Sequence, residues 1–141
     1  MPTCLSAFLC EFVRPEPAGA PVHALGLGID TVMAPALPAP HGFGMVFQLS
    51  FESNELDQTH ELRVQVVDPT GEVVDEVEGQ VGAQRRPGAF GPTLALIAFN
   101  RMFEVNRFGS HEIKIVIGGQ ELRSIGLNVL PAQQQPQQAQ V

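Results

Sequence analysis

The chain has 141 residues, 44% of them hydrophobic and only 16% charged, with a formal net charge of −7. That length and apolar content suit one domain with a real core. The acidic balance argues against a nucleic-acid footprint, which needs clustered Lys and Arg; here Lys114 is the sole lysine and the arginines are scattered.

In chain order, the opening "MPTCLSAFLCEFVR" has no basic leader region and reaches Glu11 too early for a signal peptide. The chain also lacks a run of about 18 uncharged apolar residues, so no membrane-spanning helix and no membrane partner are expected. Cys4 and Cys10 would lie about 20 Å apart in an extended strand, well beyond the roughly 4.4–6.8 Å a disulfide bridges. Their even spacing puts both on one face as buried thiols, and free cysteines suit a cytoplasmic protein. "TCLSAFLCEFV" is apolar on both faces, which predicts a strand at the centre of a packed sheet.

"GLGIDT" has two glycines and an acid, but a dinucleotide fingerprint also needs a third glycine and a following helix. Thr31 stands where that glycine would be, and prolines follow. The glycines therefore predict a closely packed or bent strand ending near Asp30, and Pro35 to Pro40 an extended crossover between layers.

Period-2 alternation carries the middle and end of the chain. Phe43, Met45, Phe47, Leu49 and Phe51 share one face; so do Leu62, Val64 and Val66, then Ile113, Ile115 and Ile117, then Ile125, Leu127 and Val129. "DPTG" at Asp68–Gly71 predicts a type I turn, and Gly118-Gly119 a tight hairpin. Glu72, Asp75, Glu76 and Glu78 lack calcium-loop spacing and predict a charged strand edge. "TLALIAF" is apolar on both faces and predicts another central strand, whereas "NRMFEVNRFGS" is the one candidate for a short helix or loop crossing. The fold class is all-β: an antiparallel two-layer β-sandwich, immunoglobulin-like, of seven or eight strands. Residues 1–130 form one domain, and the Gln- and Pro-rich 131–141 is a disordered tail.

No motif assembles chemistry. His23, His41, His60 and His111 show no ligand spacing, and His60 and His111 fall in phase with apolar faces. No catalytic, cofactor or metal site is expected. Arg85, Arg86 and Phe90, in "AQRRPGAFGP", combine types favoured at interfaces and form a candidate partner-contact loop.

At "AFLCEFVR", "GLGIDTVMAPALPAP", "VVDPTGEVV" and "FGSHEIKIVIGGQEL", in that order, the chain resembles a family of small uncharacterised bacterial proteins known as a domain of unknown function. The resemblance runs from Leu5 to Leu130. It implies a β-sandwich and supplies no activity, cofactor or site. The functional expectation is a non-enzymatic protein acting through protein–protein contacts, as an oligomer or a subunit of a larger assembly. The alternative is a small-ligand-binding or hydrolytic domain with a cleft at the strand ends, where Cys10, His23 and Asp30 would act.

Overall fold

A computed structural model describes residues 1–14, 16–17, 21–85, 87–88 and 91–132. Ten strands run in chain order: β1 (Thr3–Cys10), β2 (Phe12–Arg14), β3 (His23–Leu25), β4 (Thr31–Ala34), β5 (Ala39–Phe51), β6 (His60–Val67), β7 (Val73–Val81), β8 (Thr93–Val105), β9 (Gly109–Ile117) and β10 (Gln120–Pro131). The only helical turn among the described residues is a 3-10 turn at Ser53–Glu55. One sheet has the order β1-β5-β8, the other β4-β10-β9-β6-β7, and β2 and β3 form a separate ribbon. The architecture is the expected all-β, largely antiparallel two-layer sandwich, with ten strands rather than seven or eight. The three strands beyond the seven long ones are β2, β3 and β4, each too short to show a period in sequence.

Core phases follow the alternation. Phe43, Met45, Phe47, Leu49 and Phe51 from β5 pack toward Val64 and Val66 of β6, the three isoleucines of β9, and Leu127 and Val129 of β10. Turn chemistry joins these strands. The Asp68 carboxylate accepts from the Thr70 amide (2.9 Å), the Thr70 hydroxyl (2.6 Å) and the Glu72 amide (3.0 Å), closing the β6–β7 connection. The Thr70 hydroxyl is the main reason the Asp68 carboxyl is held below the usual carboxylate range. Gly118 and Gly119 both take positive φ, 58° and 82°, which fits the two-residue β9–β10 hairpin.

Several expectations are corrected. "GLGIDT" is not a strand: Gly26 to Asp30 form the turn between β3 and β4, and the Gly28 amide donates to the Leu9 carbonyl (2.7 Å). β4 then pairs parallel with β10, the exception to the antiparallel pattern. The bends at 35–38 do carry the chain between sheets, from β4 to β5. "NRMFEVNRFGS" is not a helix: β8 runs through its first half to Val105, and only Asn106 to Phe108 form the loop that crosses to β9 in the other sheet. The two doubly apolar segments, β1 and β8, are not central; they are the two edges of the three-stranded sheet. Of the tail, Pro131 belongs to β10 and the Ala132 amide donates to the Ala34 carbonyl (3.0 Å); residues 133–141 lie outside the described residues.

Candidate functional site

Arg85 is occupied within its own chain. Its amide donates to Asp57 Oδ1 (3.0 Å) and its guanidinium to the Ser53 carbonyl (2.9 Å), tying the segment after β7 to the 3-10 turn. Arg86 and Phe90 lie outside the described residues. Cys10, His23 and Asp30 share no hydrogen bond, although the Gly28 and Ile29 amides on the Leu9 carbonyl bring the segment before Asp30 close to Cys10. Cys10 is fully buried, and that burial pushes its thiol pKa up. His23 sits on the exposed ribbon with Nδ1 3.2 Å from Glu16. The Asp30 carboxylate accepts from the Thr31 hydroxyl (3.1 Å), while its carbonyl accepts from the Asn128 amide (2.8 Å).

The outer face of the five-stranded sheet carries an open groove of about 460 Å³, lined by Glu61, Arg63, Gln65, Lys114, Val116, Gly119 and Glu121. Its charges are matched both along and across the strands. Arg63 donates to Glu61 (2.7 Å), Gln65 donates to Glu76 (2.9 Å), and Lys114 lies 3.8 Å from Glu112 and 3.9 Å from Glu121. No Ser, Thr, Cys or His sits among these lining residues, and Lys114 is flanked by Glu112 and Glu121. The groove is a solvated polar face between side-chain ladders.

The outer face of the three-stranded sheet is built differently, starting with a bulge. Cys4 faces Leu49 and Ser6 faces Gln48, so Leu5 is the extra residue and side-chain parity reverses after it. Cys4 therefore lies on the core face of β1, while Phe8 and Cys10 point outward. Cys10 is buried there because β2 crosses above it. Gly44 of β5, opposite Cys10, leaves room: a Cβ would stand 2.6 Å from Cys10 Sγ and 2.9 Å from Val13 Cγ2. Asn100 of β8, opposite Gly44, fixes the crossing strand through both backbone groups of Val13.

Beyond that crossing the outer face is bare. Leu94 (52% exposed) and Leu96 (50%) of β8, together with Ala98, share this face with Val46 of β5 and Phe8 (44%) of β1, and Ser50 and Gln48 of β5 stand directly opposite the two leucines. β8 is also an edge whose ladder to β5 runs from Thr93 to Val105 without a register shift. The other three edges of the two main sheets are blunted by devices that prevent strand addition. β1 has its bulge, and its Leu5 carbonyl accepts from Arg123 (3.1 Å). β4 is four residues long, and β7 carries Asp75, Glu76 and Glu78. β8 has neither bulge nor proline, and its first charged residue is Arg101.

The sequence did not single out Leu94, Leu96 and Phe8 as surface residues. A strand apolar on both faces reads as buried on both, and the pattern cannot distinguish that from a bare face. The usable signal is the absence of charge over the whole of Pro87 to Asn100, following an arginine-bearing loop.

A family described as being of unknown function (DUF6941) matches residues 5–130. No curated protein matches the chain. Similar solved structures include an alkylpurine DNA glycosylase from Pseudomonas fluorescens, bound to DNA containing an abasic site analog. It is 12% identical with a TM-score of 0.47, over 88% of this chain and 30% of that one, so this chain spans under a third of the glycosylase chain. An immunoglobulin-like protein from Pseudomonas aeruginosa is 20% identical with a TM-score of 0.37, over 92% of this chain and 96% of that one.

Proposed function

We propose that this chain, which belongs to the family of unknown function DUF6941, is a non-enzymatic protein-contact module whose contact surface is the bare outer face and free edge of its three-stranded sheet. One observation carries the reading: β8 is a long, regular edge without charge from Thr93 to Asn100, and it presents half-exposed Leu94 and Leu96. An edge of that kind offers unpaired backbone donors and acceptors to another chain, and natural folds usually suppress it. Suppression at the other three edges makes its absence at β8 informative. Apolar side chains beside an open ladder supply the desolvated centre that a protein interface needs.

The ligand-binding alternative draws less support, because Cys10 is fully buried and none of Cys10, His23 and Asp30 lines the polar groove. The test is substitution on the surface alone. In native extract, Leu94→Lys with Leu96→Lys is expected to move the protein from a larger complex to its monomer size on gel filtration. Wild type eluting as a 15.2 kDa monomer at every concentration and in every extract would overturn the reading.

A further inference from the structure

We infer that Glu55 is a buried acceptor for a free amino group at Met1, and that through it the chemical state of that amino group controls the order of the Arg85 segment. Glu55 closes the 3-10 turn between β5 and β6 and is only 5% exposed. Its amide donates to the Glu52 carbonyl (2.9 Å), and its Oε1 accepts from the Glu52 amide (2.9 Å). The second oxygen, Oε2, is buried and takes no hydrogen bond from the turn; it meets the Met1 ammonium as an ion pair. Burial by itself pushes this carboxyl up, yet the Met1 ammonium and the Glu52 amide outweigh it and hold Glu55 below its ordinary value. Arg85 also reaches the turn, but it is engaged by Ser53 and Asp57 instead. A buried carboxylate that loses its cation keeps the cost of desolvation without the attraction that offset it.

The same turn holds the segment after β7. The Ser53 carbonyl accepts from the Arg85 guanidinium (2.9 Å), Asp57 Oδ1 accepts from the Arg85 amide (3.0 Å), and the Asp57 amide donates to the Ala83 carbonyl (2.9 Å). Asp57 takes a φ of 60°, a left-handed conformation that non-glycine residues adopt only where their surroundings hold them. From Glu52 to Gln58 the one apolar side chain is Leu56, so polar contacts set the position of the turn. Met1 supplies one of them and Arg85 others, while His60 Nε2 lies 3.3 Å from the Glu55 carbonyl. Pairing of Thr3 with Ser50 fixes where Met1 falls. Residues added before Met1 turn its ammonium into an amide and carry the new charge away from Glu55. The turn then loses one of its fastenings, and Arg85 is bound to a looser support.

A four-way comparison of the full chain tests this: a free Met1 amino group against a Gly-Ser extension before Met1, each with Glu55 and with Glu55→Gln. The glutamine keeps the shape of the side chain and its acceptor for the Glu52 amide, but it needs no cation. With Glu55 in place, the extension is expected to lower the thermal midpoint by about 5 °C. Hydrogen exchange at the Arg85 amide is expected to quicken about tenfold in the same protein. In Glu55→Gln the extension is expected to move the midpoint by less than about 1 °C, because the charge it displaces has no partner there. An extension that leaves the wild-type midpoint unchanged, or that costs Glu55→Gln as much as wild type, overturns Glu55 as the acceptor. A lowered midpoint with unchanged exchange at Arg85 overturns the coupling to that segment.

Discussion

Asn100 holds Val13 as a strand would: its Oδ1 accepts from the Val13 amide at 2.7 Å, and its Nδ2 donates to the Val13 carbonyl at 2.7 Å. One side chain of β8 thereby docks β2 across the sheet, seals Cys10 beneath it and sets the limit of the face that carries Leu94 and Leu96. Asn100→Ala leaves a buried amide and carbonyl without partners, at a cost of about 1–3 kcal/mol. Hydrogen exchange should report it first at Val13, with faster exchange there than at Phe47.

Cys10 reports the same docking chemically. Burial pushes both thiols up, Cys4 as well as Cys10, but only Cys10 is fully enclosed. A disulfide-exchange reagent should therefore modify Cys4 first in the native protein. Cys10 should follow only as β2 lifts, and faster in Asn100→Ala. Equal rates for the two thiols in wild type would contradict the enclosed position.

Gly44 is constrained from the same direction. Gly44→Ala drives a methyl into Cys10 Sγ and Val13, and overpacking of this kind costs about 1–3 kcal/mol. Cys10→Ala should recover part of that loss. Urea denaturation of the two single variants and the double variant measures the recovery as a coupling energy.

Asp75 and Arg101 join the two sheets through a two-pronged ion pair, with Nε to Oδ2 at 2.8 Å and Nη2 to Oδ1 at 2.7 Å. The Arg101 hydrogen bonds, more than any other contact, hold the Asp75 carboxyl below its ordinary value. A depressed carboxyl contributes stability above the unfolded pKa of about 3.9 and loses it as pH falls through the lower folded value. Wild type should exceed Asp75→Asn by under about 1 kcal/mol, since Arg101 is partly exposed. That gap should hold from pH 7 to about 5 and close below about pH 3.9. A gap that widened on acidification would contradict the pairing.

The sandwich was legible because its core strands obey period 2 without interruption. Phe43 to Phe51 and Ile113 to Ile117 could be placed on one face by counting, and Asp68–Gly71 and Gly118-Gly119 marked their own turns. The first strand was misread for a local reason. One bulged residue at Leu5 reversed the parity that Cys4 and Cys10 seemed to share. β2 escaped notice because three residues carry no period, and its position depends on Asn100, 87 residues away. The candidate surface was hidden by a physical ambiguity, since Leu94 and Leu96 have the apolar character of buried residues whether their cover is the same chain or another. Only the strand order, with β8 at an edge, separates the two.

Photo-crosslinking in cells that make the protein natively tests the central claim most directly, with the reactive residue placed at position 96 or, for comparison, at 33. The account predicts a discrete protein adduct from position 96 and none from position 33. Equal adducts from both positions, or none from 96, would contradict it.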